Sequence, residues 1–123
     1  MPFIQPKVDR VKHTIDATGK TPGRLATQIS ILLQGKHKVI YQPNWDLGDS
    51  VDIVNVAKMG IHPRKLEQKI HYTVSGYLGG LKEIPWKRMM QERPERVLYL
   101  AVYRMLPKNK LRDRMIKRLS ITA

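Results

Sequence analysis

The sequence predicts an α/β domain, and three observations predict it. Residues 13–34 carry a short strand signal, a Gly/Pro turn and an amphipathic helix in succession. Residues 51–56 form a β-branched run that is apolar on both faces, as a buried central strand of a parallel sheet is. Further strand signals alternate with amphipathic helices through the rest of the chain. Strand–helix–strand order of this kind lays helices against a sheet through right-handed crossovers.

The elements follow in order. Residues 1–12, with Pro2, Pro6 and isolated charges, read as an extended arm before a single domain over 13–123. Ile15 and Ala17 share one face of a strand over 13–17. Gly19, Pro22 and Gly23 make a turn, and Pro22 suits the first turn of a helix, where its missing N–H costs nothing. Leu25, Ile29, Leu32 and Leu33 recur at helical spacing through Gln34, and Gly35 stops the helix. After the 51–56 strand, residues 70–74 predict another strand, the glycine-rich stretch 75–82 a loop, and 85–91 a short helix. Pro94 opens a longer helix whose stripe is Val97, Leu98, Ala101, Val102 and Met105, and Pro107 ends it. Asn109 suits the cap of a last helix with Leu111, Met115, Ile116 and Leu119 on its apolar side, so 94–119 is a basic helical region. Residues 120–123 suit a short final strand.

Charge sets the function class. The 123 residues hold 23 Lys+Arg against 10 Asp+Glu, a net +13. A compact domain with this much like charge calls for a polyanionic partner. RNA, DNA to be packaged and an anionic membrane surface all qualify. The hydrophobic fraction, 41%, is that of a folded domain rather than a basic tail. Most of the excess lies in residues 87–123, with 11 basic and 3 acidic residues. Within that third, Lys108, Lys110, Arg112, Arg114, Lys117 and Arg118 crowd one stretch opposed only by Asp113, and this shifts the balance towards nucleic acid. The apolar side of that helix is short and lacks an aromatic anchor, which ranks a membrane surface lower. No cysteine is present, which excludes disulfides and thiolate metal sites and fits a reducing compartment. No apolar run approaches a membrane span, and residues 1–12 carry no secretory signal, so the expected setting is cytoplasmic.

Each chemical motif has a plainer alternative. Gly19-Lys20-Thr21 invites a nucleotide-binding reading, but a phosphate loop needs a glycine where Thr14 stands, and Pro22 removes a backbone donor. Lys20 and Arg24 at the helix start still suit an RNA phosphate. Lys36, His37 and Lys38 follow a helix end, where they can clamp a phosphate backbone or complement the helix dipole. Tyr41 and Trp45 suit base stacking or core packing, and packing is the commoner fate. His13, His37, His62 and His71 lack metal-ligand spacing, so no metal and no cofactor is expected. Asp46 and Asp49 flank Gly48 and read as turn residues bonding their own backbone, rather than as an acid–base pair. A Ser–His–Asp set composed of Ser75, His71 and Asp49 has no local support, and no enzyme activity is expected.

Several motifs stand in order along the chain: Asp-Ala-Thr-Gly-Lys-Thr-Pro-Gly-Arg-Leu-Ala from Asp16, Gly-Lys-His-Lys from Gly35, and Asp-Leu-Gly-Asp from Asp46. Ser-Gly-Tyr-Leu-Gly-Gly-Leu-Lys from Ser75, Arg-Pro-Glu-Arg-Val from Arg93 and Met-Leu-Pro-Lys-Asn-Lys-Leu from Met105 complete the set. Together they resemble the ribosomal protein L-thirteen family of the large subunit. Val74 stands where the family usually has His, and Arg104 and Arg112 where Gly is common. The resemblance implies a three-layer α/β/α domain around a small, mainly parallel sheet of about four strands. It also implies binding to large-subunit rRNA, a role in early subunit assembly, and other ribosomal proteins as neighbours. Neither a membrane, a small-molecule substrate nor a second copy of the chain is implied. Carried over by motif, Lys36, His37, Lys38, Lys82, Lys108, Asn109 and Lys110 would lie at or near RNA. Charge alone adds Arg112, Arg114, Lys117 and Arg118, the helix start adds Lys20 and Arg24, and Arg104 adds charge beside the last motif.

Overall fold

The computed structural model describes residues 7 and 9–122. The expected arm therefore lies largely outside the described residues. Strands β1 (Lys12–Asp16), β2 (Ser50–Val54) and β5 (Leu119–Ile121) form one parallel sheet in the order β1-β2-β5. Lys12 lies opposite Ser50 and Ile15 opposite Ile53, while Val51 lies opposite Leu119. The β-branched run thus occupies the centre of the sheet, with Val51 and Ile53 buried. The strand is shorter than the run itself: Asn55 adopts the left-handed conformation at φ 59°, and a single 3₁₀ turn, Val56–Lys58, follows. Asparagine tolerates that conformation better than a β-branched residue.

Helix α1 (Pro22–Gln34) connects β1 to β2. Pro22 stands at its start as the turn chemistry requires, and its buried face carries Leu25, Ala26, Ile29 and Leu33. Gly35 ends it at φ 81°, donating its N–H to the Ile31 carbonyl at 3.1 Å. A side chain at Gly35 would also meet the Leu47 backbone at 2.9 Å. Crowding is more severe at Gly48, where a Cβ would lie 1.6 Å from the Leu33 carbonyl oxygen. The loop preceding β2 therefore lies directly against the end of α1.

Helix α4 (Pro94–Met105) packs on α1, burying Val97, Leu98 and Val102. Leu106, just past it, is buried too, whereas Met105 faces solvent. Helix α5 (Leu111–Ile116) buries Met115 and Ile116. The expected cap holds, since Asn109 Oδ1 accepts from the Arg112 N–H at 3.1 Å. One contiguous core joins these faces to Ala17, Val51, Ile53 and Val56.

Three expectations are corrected. Among the described residues the parallel sheet has three strands, not about four: β3 (Ile70–Val74) leaves it and pairs antiparallel with β4 (Leu81–Pro85) as a separate hairpin. Tyr72, Thr73 and Val74 are exposed, so cross-strand pairing rather than burial holds this strand. The loop is consequently only residues 75–80, because Leu81 and Lys82 pair with Val74 and Thr73. Helix α2 (Pro63–Gln68) was not expected; His62 caps it through Nδ1, which accepts from the Arg64 N–H at 3.2 Å. Helix α3 (Trp86–Glu92) follows β4 within a residue of the expected place. The third correction concerns Asp46 and Asp49, which are buried ion-pair centres rather than turn residues bonding their own backbone.

Candidate nucleic-acid interface

Three groups of basic residues stand out. The first surrounds a cleft of about 730 Å³ between the start of α1, the segment 60–71 and α4. Arg24, Lys65, Lys69, Arg104, His62 and His71 line it, and none of its lining residues is acidic. Met89, Val97, Leu100 and Ala101 supply an apolar floor. Lys69 Nζ sits 3.9 Å from the centre of the Trp86 ring, a cation–π contact on the cleft wall. The fold thus unites Arg24 and Arg104, far apart in the chain, with cations that the sequence reading did not select. The signal for the latter is local: His62-Pro63 starts a helix and Lys65 and Lys69 are four residues apart.

Lys20 lies beside this group, in a turn whose backbone donors serve the fold itself. The Thr18 N–H donates to Asp16 Oδ1 at 3.0 Å, Gly19 N–H to the Lys58 carbonyl at 3.0 Å and Lys20 N–H to the Ala17 carbonyl at 3.1 Å. The Asp16 carboxylate also receives the Thr18 hydroxyl and the Asn55 amide. Those hydrogen bonds, first the Thr18 N–H, hold its pKa down at about 2. With the amides of Thr18, Gly19 and Lys20 all committed to acceptors of the protein, the turn is structural.

The second group is the exposed basic segment. Lys108, Asn109, Lys110, Arg114 and Lys117 are solvent-exposed, with Arg112 half-buried and stacked 4.0 Å from the Tyr103 ring centre. Lys82 is exposed on β4, away from this segment in the chain.

The third group turns inward. Arg118 Nη1 pairs with Asp46 Oδ1 at 2.7 Å, and its Nη2 donates to the Leu33 carbonyl at 2.8 Å. Burial lowers its pKa, an effect that the Asp46 carboxylate opposes. Arg10 Nη2 also lies 3.6 Å from Asp46 Oδ2, and Arg10 Nη1 donates to the Gly48 carbonyl. Asp49 receives Lys38 Nζ on Oδ1 at 2.8 Å, and both His13 Nε2 and His37 Nε2 lie 2.8 Å from Oδ2. Burial pushes the Asp49 carboxyl up. Hydrogen bonds from Lys38, His13, the Val11 N–H and His37 outweigh it and hold the group well below the usual carboxylate range. Of the Gly-Lys-His-Lys motif, Lys36 alone is exposed without sharing in this cluster, while Tyr41 and Trp45 are half-buried beside it.

The sequence profile of ribosomal protein L13 matches residues 10–123. The chain belongs to the ribosomal protein L13 family. A "Large ribosomal subunit protein uL13" of Chloroflexus aggregans is 56% identical over 117 residues, covering 95% of this chain and 82% of that one. Those of Aquifex aeolicus (51% over 119 residues; 96% and 83%) and Thermotoga petrophila (48% over 122 residues; 98% and 82%) are nearly as similar. This is a family of structural ribosomal proteins, not of enzymes. The matched span includes all three basic groups. Among the described residues, no helix is long and apolar enough to cross a membrane.

Proposed function

We propose that this L13-family chain is a structural constituent of the large ribosomal subunit that binds large-subunit rRNA and supports early subunit assembly and translation. The observation that carries the reading is the segregation of charge. Buried carboxylates engage Arg118, Lys38 and Arg10, whereas the cleft cations and Lys108, Lys110, Arg114 and Lys117 face outward without a carboxylate in the cleft wall. Outward cations on a rigid frame neutralise phosphates, and the frame holds them to one RNA shape. Lys20, Lys36 and Lys82 are exposed as well. His37, Lys38 and Arg118 serve it indirectly by fixing the loops between α1 and β2. Other large-subunit proteins are its neighbours, in the cytoplasmic ribosome. The chain acts without a membrane, a small-molecule substrate or a second copy of itself.

Filter binding to a large-subunit rRNA fragment across a salt series tests this. Affinity is expected to fall steeply with salt. Lys108→Ala combined with Lys110→Ala is expected to flatten the log–log slope by about 0.7–0.9 for each phosphate that is no longer neutralised. A slope unchanged by the double substitution overturns the assignment of this segment to RNA.

A further inference from the structure

His13, His37 and Asp49 come from β1, the loop after α1 and the residue preceding β2. Their spacing in the sequence gives no hint of a shared site, yet one ligand atom from each lies within 4.8 Å of the other two. The two rings meet edge to face, with centroids 6.0 Å apart and an interplanar angle of 89°. Their Nε2 atoms thus approach one carboxylate oxygen from different directions. From this geometry we infer that His13, His37 and Asp49 form a zinc site, with His13 Nε2, His37 Nε2 and Asp49 Oδ2 as ligands and the fourth position open to water.

The chemistry of the donors fits that cation. Two imidazoles and one carboxylate are a borderline nitrogen–oxygen set of the kind zinc takes with an open fourth position. Zinc bonds of about 2.0–2.1 Å in a tetrahedral arrangement separate ligand atoms by roughly 3.3 Å. Each ring therefore retreats by about half an ångström from its present 2.8 Å contact with Oδ2. Both imidazoles are about one-third exposed, which leaves them room to move and water a path in. The carboxylate, by contrast, is fixed. Lys38 Nζ and the Val11 N–H hold Oδ1 at 2.8 and 3.2 Å, and the Asp49 N–H donates to the Leu32 carbonyl at 3.0 Å. Such outer contacts orient a metal-binding carboxylate.

Protons balance simply. Each ring binds as neutral imidazole through Nε2, and a hydrogen now on that nitrogen passes to Nδ1 or to solvent. The surrounding charge sets the strength. Lys38 shares the Asp49 carboxylate, and Arg10 and Arg118 stand nearby on Asp46. A dication there is opposed by these cations, so binding is weaker than at a closed structural site. Bound zinc ties β1 and both ends of the α1–β2 loop into one rigid unit.

Isothermal titration of the full chain with Zn²⁺, and with Co²⁺ followed by its visible absorption, tests the site. One equivalent is expected to bind with four-coordinate Co²⁺ bands. His13→Gln is expected to weaken binding by more than about tenfold, while His62→Gln with His71→Gln leaves it unchanged. Imidazole ¹⁵N shifts of the unsubstituted protein give a second reading that needs no variant to fold: Zn²⁺ is expected to move Nε2 of His13 and His37 together. Absence of saturable uptake, uptake undiminished in His13→Gln, or shifts confined to His62 and His71 overturns the inference.

Discussion

Arg118 bridges to Asp46 across 72 positions of sequence, with Nη1 2.7 Å from Oδ1 and 2.8 Å from Oδ2. Only 13% and 10% of the two side-chain surfaces remain exposed. The pair joins the residue before β5 to the loop before β2, and Nη2 fixes the end of α1 through the Leu33 carbonyl. An arginine fork satisfies these acceptors together, which a lysine ammonium does not do with the same geometry. Arg118→Ala is therefore expected to cost roughly 3–5 kcal/mol, because it takes the main cation away from a buried carboxylate. Urea unfolding measures this, and Arg118→Lys is expected to recover only part of the loss.

The cleft cations behave differently. Arg24 and Arg104 are exposed, so Arg24→Ala with Arg104→Ala is expected to change stability by less than about 0.5 kcal/mol per site. On the proposed function, its effect is expected to fall on RNA instead, lowering the salt slope by about 0.7–0.9 for each phosphate left to its counterions. The same urea and filter-binding measurements, run side by side with Arg118→Ala, separate the two classes of arginine.

Gly48 supplies a steric test. A methyl group there overlaps the Leu33 backbone carbonyl oxygen at 1.6 Å. Gly48→Ala is expected to lower stability by more than about 4 kcal/mol or to prevent folding, beyond the usual range of single substitutions. Gly35→Ala combines a left-handed φ of 81° with a 2.9 Å approach to Leu47, and a conformational cost of about 1–2 kcal/mol sets its lower bound. Circular dichroism and thermal unfolding distinguish the two.

Acid sensitivity follows from Asp16. Its folded pKa is about 2, below the ordinary 3.8, because the Thr18 N–H, the Thr18 hydroxyl and the Asn55 amide bond the ionised form. A depressed carboxyl stabilises the fold fully above its unfolded value and loses that contribution as pH falls through the folded one. The turn before α1 is thus expected to weaken between about pH 4 and pH 2. Carboxyl-carbon NMR titration of Asp16 reads the midpoint directly, and Asp16→Asn is expected to flatten the stability profile in that window.

The parts legible in the sequence are those that local chemistry dictates. Pro22 and Gly35 bracket α1, the β-branched run marks the central strand, and Asn109 caps α5, all from neighbours a few residues away. The misses have two physical origins. Residues 70–74 have strand-forming side chains, but propensity does not say which strand they join, and the nearby glycine turn favours β4 over the sheet. Long-range pairing is equally invisible: nothing near Asp49 announces Lys38, His13 and His37, and nothing near Asp46 announces Arg118. The basic cleft mixes both cases. Arg24 and Arg104 stand out by charge, while Lys65, Lys69 and Trp86 join them only once α2 and the hairpin are in place.

The order of the parallel sheet has a consequence for synthesis. β2 receives one neighbour from residues before it and the other, β5, from residues that follow every other element. A growing chain that has not yet reached Leu119 carries β2 with an open edge, and before Arg118 is made Asp46 lacks the second of its two arginines. The segment that closes that edge directly follows the basic stretch from Lys108 to Lys117. The core is therefore closed last, after the cleft cations and the whole basic stretch have already been made.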